Sequence, residues 1–298
     1  YFQWLGNFVQ GKLGVSFSHY PRDVMDIILE RAPRTLVLFL TNQIISFSLG
    51  FYLGKQMAWR RGTAFEYSLT IIGVVLYTIF TPWFGLMMIY LFGIRLNLLP
   101  IGKFLDPSLW RNVDMDANTI FYYIILTLVI GAVVYILLTL LTRKTSRWVR
   151  QATRIGGGFA IVAISILVWS LTPYGFLAGD IVQHMVLPVM VSTLVTFAGT
   201  MLLMRNTMLE TLREDFVMAA RAKGLSESVV RDKHAARNAF LPVFTNLIIS
   251  IPFVLSGGII TETIFSWPGM GLTLLEAVSL EDIPLAMGTL SFVGVLAL

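Results

Sequence analysis

The chain has 298 residues, of which 56% are hydrophobic and only 13% are charged, and it contains no cysteine. Soluble domains carry about 25% charged residues, so this composition indicates a membrane protein. The lack of cysteine excludes disulfides and thiolate metal sites, and the three histidines lie far apart, which disfavours a histidine metal site. The net charge of +5 is modest, and the placement of Lys and Arg carries more information than their sum.

Seven apolar segments are long enough, or nearly so, to cross a bilayer as helices. They lie at residues 35–54, 67–93, 117–141, 155–174, 185–204, 241–261 and 283–298. The pattern predicts an all-α integral membrane protein, a polytopic helical bundle of about seven spans. The last segment is short for a full span, so we expect part of that helix to be missing.

Lys and Arg are concentrated in alternate loops, which assigns the two sides of the membrane. The basic loops at 55–66, 142–154 and 205–240 are predicted to be cytoplasmic, whereas 175–184 and 262–282 carry acids and no base. The alternation places residues 1–34 outside. A chain that starts outside without a signal peptide is unusual, so we expect an earlier helix before Tyr1.

The first span ends in the string Gly50 to Lys55, the nearest approach to a nucleotide-binding loop. Its spacing is wrong and no Ser or Thr follows Lys55, so it fits a packing face of small residues, Gly50 and Gly54, better than a phosphate site. The inner parts of the seven segments carry no ionisable residue. Proton or sodium coupling therefore has no candidate group, and no catalytic constellation stands out.

The turn at 142–154 carries five bases and no acid. Such a turn suits anionic lipid headgroups. The positive-inside rule explains the bases without any ligand, and we favour that interpretation.

The loop at 205–240 is too long for a simple connection. Apolar residues at spacings of three and four predict one helix over 207–222, and Gly224 then supplies a stop in a left-handed conformation. A second short helix is predicted from an N-cap at Ser226, and Pro242 is placed in the first turn of the next span. Small residues at such a turn let a partner approach closely, although for Ala219, Ala220 and Gly224 taken alone helix propensity and capping are the favoured explanation.

The stretch EDFVMAARAKGLS at 214–226, followed by HAARNAFLP at 234–242, resembles the cytoplasmic coupling loop of ABC importer permeases. The likeness is greatest to the dipeptide/oligopeptide/nickel permease family. Four more stretches resemble this family in order: LGVSF at 13–17, IILERAPRTL at 27–36, LLPIG at 98–102 and ETIFSWPGMG at 262–271. The resemblance covers most of the chain except about residues 112–178.

The resemblance implies a type I ABC importer permease, one half of a translocation pore in the prokaryotic plasma (inner) membrane. A second homologous permease, two ATPase subunits and an extracytoplasmic substrate-binding protein would be its partners, together with membrane lipids and without nucleic acid. The ATPases would bind ATP and Mg, so this chain would hold no cofactor or metal and would not be an enzyme. The substrate would be a peptide or a similar solute, with an oligosaccharide or a nickel chelate as alternatives.

By the same resemblance, six residues would couple the chain to the ATPases. They are Ala219, Ala220, Gly224, Leu225, Ser226 and His234. Importer permeases generally place Glu where this chain has Met218. The implied organisation is an external segment at 1–34, core spans at 35–111, an extra two-helix insert at 112–178, and further core with the coupling loop at 179–298.

Four residues are candidates for the pore or its gate. Asn246, Ser250 and Ser256 could give span 241–261 a polar side that faces a pore, or could bond neighbouring helices. A kink is predicted from Pro252 and the glycines that follow it. Trp267 precedes a Pro-Gly turn, where it could serve a gate, contact a binding protein, or anchor the chain at the membrane interface.

Two other classes of function remain. An ATP-independent channel or secondary carrier predicts transport without nucleotide, and it has no intramembrane charge to support it. A membrane-embedded enzyme or scaffold predicts activity without partners, and it has no catalytic group to support it.

Overall fold

Helices make up almost all regular structure in the computed structural model, which describes residues 6, 10–111, 113–255 and 258–297. Within these residues the extended contact is a single bridge between Val15 and Asp23. The chain divides into two units, one formed by residues 1–103 and 186–298 and the other by residues 104–185. The all-α fold predicted from the composition is confirmed.

The first unit begins with helix α1 (Val24–Trp59), which has 36 residues. It contains the predicted span at 35–54 but starts earlier, inside the segment predicted to be external. The small-residue face is confirmed, because a Cβ on Gly50 would lie 2.7 Å from Thr200 Cβ and one on Gly54 would overlap the carbonyl oxygen of Met201. These glycines let α1 approach the backbone of a later helix closely.

The predicted span at 67–93 is not one continuous helix. The segment forms α2 (Ala64–Thr78), α3 (Thr81–Met88) and a π-helical turn (Ile89–Arg95), and the two halves are bent by 102°. Ile79 and Phe80 have extended backbone between them, and Pro82 has no N–H with which to continue the helical ladder. Hydropathy alone does not register such a break.

The second unit contains α4 (Ala117–Leu141), a short 3₁₀ turn (Thr142–Lys144), α5 (Arg147–Leu171) and the start of α6 (Gly175–Thr211). Helices α4 and α5 pack against each other. The outer loop predicted at 175–184 is wrong, because these residues are helical. There the Asp180 carboxylate accepts hydrogen bonds from the Trp110 indole at 2.9 Å and the Asp106 backbone at 3.0 Å.

The rest of α6 returns to the first unit. The elements that follow are α7 (Asp215–Ala222), α8 (Glu227–Val229), a π-helical turn (Val230–Ala235), α9 (Ala236–Leu255), α10 (Ile259–Ile264), α11 (Met270–Ser279) and α12 (Ile283–Ala297). Helix α1 packs against α9, α11 and α12. Gly257, part of the predicted kink, lies outside the described residues, between the end of α9 and the start of α10.

Four helices in the described part of the chain are long and apolar enough to cross a membrane, namely α1, α4, α5 and α6. The bent pair of α2 and α3 makes a fifth if it is counted as one span. The chain is therefore a multi-pass membrane protein. The predicted count of seven spans stays a prediction.

Candidate coupling interface

The segment at 207–222 is divided between two helices, α6 and α7, and is not one helix. The predicted helix over 207–222 is wrong at its centre, because α6 ends at Thr211 and α7 begins only at Asp215. After α7 the chain turns sharply through Gly224, whose φ of +72° is the left-handed conformation that the sequence predicts. A side chain with a Cβ is disfavoured in that conformation by about 1–2 kcal/mol.

The backbone hydrogen bonds at this turn form a Schellman cap. The Leu225 N–H donates to the carbonyl of Ala220 at 3.4 Å, and the Gly224 N–H donates to that of Arg221 at 2.9 Å. Ser226 has the extended backbone expected of an N-cap, and α8 follows it directly. Pro242 lies in the second turn of α9, not in the first turn of a new span as predicted, because α8, the π-helical turn and α9 run on continuously.

One face of α7 is buried against the ends of α6 and α9. Val217 and Ala220 are 0% and 5% exposed, and they share an apolar cluster with Met204 and Met208 of α6 and Ala239 of α9. Apolar burial of this kind fixes α7 to the two long helices. Ala220 therefore holds the loop in place, which differs from the contact with a partner that the sequence analysis assigned to it.

The opposite face of α7 and the turn after it are exposed. This face carries Ala219, Met218, Gly224, Leu225 and Ser226, and Met218 and Leu225 are 54% and 38% exposed. A Cβ on Gly224 would meet no atom of this chain within 4 Å. His234, in the π-helical turn, is half-buried. The structure thus exposes four of the six predicted coupling residues on α7 and the turn after it, while Ala220 points inward.

Charged residues tie the loop to the end of α1. Lys55 Nζ lies 3.0 Å from Asp232 Oδ1, and Arg231 pairs with the same carboxylate at 2.8 Å. The hydrogen bond from Arg231 is the main reason that the pKa of Asp232 falls to about 2, and Lys55 adds to the effect. The Trp59 ring lies between two guanidinium groups, with Arg221 at 6.0 Å and Arg231 at 5.8 Å. These contacts link α1, α7 and the π-helical turn.

A second ion pair anchors α6 at the same end of the unit. Arg205 bonds the nearly buried carboxylate of Glu66 in the first turn of α2, and this carboxylate also accepts the Gly62 N–H at 2.6 Å. Sequence reasoning did not single out this pair. The only signal for it was one acid, Glu66, within an otherwise basic loop.

The pore or gate candidates that the structure describes differ in their surroundings. Ser250 Oγ accepts a hydrogen bond from Gln43 Nε2 of α1 at 3.0 Å, so it bonds a neighbouring helix, which was one of the two open alternatives. Asn246 is exposed, and Ser256 lies outside the described residues.

The interfacial anchor proposed for Trp267 is wrong, because Trp267 is 0% exposed and its indole lies 3.3 Å from the Arg34 carbonyl. A buried indole cannot contact a binding protein directly either.

Glu262, beside Trp267, is a buried carboxylate that sequence reasoning counted only as a loop acid. It is 0% exposed and accepts hydrogen bonds from Thr35 Oγ1 and the Leu272 N–H, both at 2.8 Å. Burial raises the pKa of this carboxyl group, against these hydrogen bonds. Gly269 has no room for a Cβ because the Glu262 carboxylate and Thr35 occupy that space. The stretch ETIFSWPGMG at 262–271 is therefore packed around its first residue, Glu262.

Polar side chains also connect α1 to α6 inside the first unit. Thr193 Oγ1 donates to Asn42 Oδ1 at 3.0 Å, and Thr196 Oγ1 lies 3.0 Å from Ser46 Oγ. The signal in the sequence is the spacing of four between Asn42 and Ser46, which places them on one helix face. Among the described residues, no group of three His, Cys, Asp or Glu side chains is arranged to hold a metal ion.

Comparison with known proteins identifies the family of the chain. A family model described as the binding-protein-dependent transport system inner membrane component matches residues 148–298. The di/tripeptide transport system permease protein DppB of Pseudomonas aeruginosa is 31% identical over 298 residues, which is 100% of this chain and 74% of the relative. The chain belongs to this permease family. The resemblance noted in the sequence is thereby confirmed, and the chain is a transport subunit rather than an enzyme.

Other relatives are similarly close. The dipeptide transport system permease protein DppB of Escherichia coli is 28% identical over 289 residues, covering 97% of this chain and 72% of the relative. The oligopeptide transport system permease protein AppB of Bacillus subtilis is 27% identical over 287 residues, covering 96% and 70%. The family match begins at Trp148, so it includes α5, the second helix of the proposed insert.

Proposed function

We propose that this chain forms half of the translocation pore of an ABC importer in a prokaryotic plasma membrane. A second homologous permease completes the pore, and two ATPase subunits, which bind ATP and Mg, dock on the cytoplasmic side. An extracytoplasmic binding protein delivers the solute. Membership of a binding-protein-dependent transport family supports a system of several subunits.

The observation that carries the coupling role is the two-sided arrangement of α7. Its inner face is buried in a cluster with α6 and α9, while its outer face and the Gly224 turn are exposed and lined by small and apolar side chains. An ATPase subunit that grips the outer face would therefore move α6 and α9 with α7, because packed interiors transmit displacement rather than absorb it. This rigid connection would convert ATPase closure into a change of access at the pore.

Small peptides are the proposed substrate class. The relatives named above are described as permeases for dipeptides, tripeptides and oligopeptides. Oligosaccharides and nickel chelates remain the alternatives within the wider family. Identification of the ligand that co-purifies with the cognate binding protein decides between them.

The test of coupling is Gly224→Val, with Gly62→Val as a matched control. Both glycines have a left-handed φ, +72° and +79°, and a Cβ on either meets no atom of this chain within 4 Å. The backbone cost is therefore similar, and only Gly224 lies at the proposed ATPase contact. We expect Gly224→Val to remain in the membrane but to lose ATPase binding or uptake at least about tenfold, and Gly62→Val to stay near wild type.

Peptide uptake and substrate-stimulated ATP hydrolysis by the complex reconstituted in vesicles are the measurements. Normal transport by Gly224→Val would show that residues 205–240 are not the coupling element. Uptake without nucleotide would favour the alternative of an ATP-independent channel or carrier.

A further inference from the structure

The second unit contains a groove that the proposed transport mechanism does not use. It lies between α4, α5 and the first turns of α6, and its volume is about 1010 Å³. Ligand sites typically measure roughly 300–1,000 Å³. We call this feature the hairpin groove. Gly131, Tyr135, Gly158, Val162 and Trp169 are among the residues that line it.

The walls of the hairpin groove suit an apolar, flexible ligand. Its serine and threonine hydroxyl groups are bonded within their own helices. For example, Ser165 Oγ donates to the Ile161 carbonyl and Thr127 Oγ1 to the Tyr123 carbonyl, both at 2.8 Å. These serine and threonine side chains therefore offer little to anchor a sugar or a peptide backbone. Helices α4 and α5 are long and apolar enough to span a membrane, so acyl chains surround them.

A row of positive charge continues the groove at its predicted cytoplasmic end. Arg150, Arg154 and Gly158 follow one another at intervals of four along α5, so the two arginines share the helix face that lines the groove. The turn at 142–154 contains five bases and no acid. Within the part of the chain that the structure describes, Arg143, Arg150 and Arg154 form no ion pair. Arg150 donates from Nη2 to the Thr145 carbonyl at 3.0 Å, and its Nε is buried without a hydrogen-bond partner.

We propose that the hairpin groove and this basic face form a binding site for an anionic phospholipid of the cytoplasmic leaflet. The phosphate is held at Arg150 and Arg154, and an acyl chain lies along Tyr135, Gly158 and Val162. The charge selects anionic over zwitterionic lipids, and the groove holds the chain longer than the bulk bilayer does. The positive-inside rule alone requires the bases but gives no reason for a groove aligned with them.

The test uses the intact permease complex in lipid nanodiscs with two photoactivatable probes. One is phosphatidylglycerol and the other phosphatidylcholine, each with a diazirine in the acyl chain, and mass spectrometry locates the cross-links. We expect labelling at the groove residues of α4 and α5 to be several-fold higher with phosphatidylglycerol. A base near the membrane surface contributes about fivefold in binding, so Arg150→Gln with Arg154→Gln should remove the preference, and the corresponding lysine variants should retain it.

A matched pair of variants separates the groove from the charge. Gly158→Leu fills the groove, and its Cβ makes only ordinary contact with the Tyr135 ring at 3.6 Å. Gly156→Leu lies two residues away on the opposite face of α5, where a Cβ meets nothing within 4 Å. We expect Gly158→Leu to abolish groove labelling by both probes and Gly156→Leu to leave it unchanged.

Two results would overturn the proposal. Equal labelling by both probes in the wild-type complex would identify ordinary bulk lipid. No groove labelling in the assembled complex would mean that a protein helix, such as one from the second permease, covers the groove instead.

Discussion

At the residue scale, Glu262 shows how one buried carboxylate organises a turn. Its two oxygens accept the Thr35 hydroxyl and the Leu272 N–H, so the segment after Trp267 is tied back to α1. Trp267 adds its own bond to the Arg34 carbonyl from a completely buried position. The turn therefore acts as part of the packed interior, and any gating role would require α1 to move with it.

The first prediction concerns Glu262→Ala. The substitution leaves the buried Leu272 N–H without its acceptor and opens a void beside Gly269, so we expect a loss of roughly 1–3 kcal/mol in stability. Thermal unfolding of the purified complex measures it as a lower Tm. Glu276→Ala, whose side chain is only half-buried, is the control and should change Tm little. An unchanged Tm in Glu262→Ala would mean that its hydrogen bonds are replaced by water.

The second prediction concerns Asp232. Its pKa of about 2 lies below the ordinary 3.8, so the ionised form stabilises the native loop above about pH 4, and this contribution is lost as the pH falls toward 2. The carboxylate is 40% exposed, so solvent screening limits the effect to below about 1 kcal/mol.

Asp232→Asn should remove this pH dependence and should speed amide hydrogen exchange in residues 226–235 at neutral pH, because Lys55 and Arg231 lose their partner. Asp215→Asn, at the exposed start of α7, is the control. Identical exchange in Asp232→Asn and wild type would show that the apolar cluster alone holds the loop.

At the element scale, the two faces of α7 differ in burial: one packs against α6 and α9 and the other is exposed. Ala219 and Ala220 are adjacent in sequence, yet the first is exposed and the second is buried in the cluster with Met204 and Met208. Both were assigned to the partner contact from the sequence. The structure separates them into one exposed residue and one that fixes the helix.

The third prediction uses this pair. Ala220→Glu places a carboxylate in an apolar cluster without a partner charge, which costs several kcal/mol and should detach α7 locally. Trypsin cleavage at Arg221 and Lys223 should then rise at least about tenfold. Ala219→Glu should leave cleavage near the wild-type rate while it weakens ATPase binding. Equal cleavage in the two variants would contradict the packing of α7 against α6 and α9.

At the scale of the whole molecule, the alternation of charge predicts which side of the membrane each loop faces. Chemical labelling of single cysteines tests this topology directly. The fourth prediction uses the natural absence of cysteine. Single cysteines at Arg61, Ser146 and Ser228 should react with an impermeant thiol reagent from the cytoplasmic side only, and those at Ser108 and Ser279 from the outside only. All five positions are exposed. Labelling of the Ser146 variant from outside would contradict the predicted topology and also the proposed lipid site.

The sequence by itself determined the class, the family and several local structures. Hydropathy predicted membrane helices, because an apolar stretch of about 20 residues is long enough to cross the hydrocarbon core and a helix satisfies its own backbone there. The left-handed turn at Gly224 and the close packing at Gly54 were also predictable, since each depends on the absence of a Cβ at one position. The motif at 214–242 identified the family because its order of small, basic and apolar residues is specific.

Only the tertiary structure decided which side of each element is covered. The inward face of Ala220 and the burial of Trp267 and Glu262 depend on neighbours that are distant in sequence. Thr35 lies 227 positions from the carboxylate it bonds. In a membrane protein the apolar pattern is weak evidence for burial, because lipid and protein interior favour the same side chains. Burial and partners there are set by packing between distant segments, which local patterns do not encode.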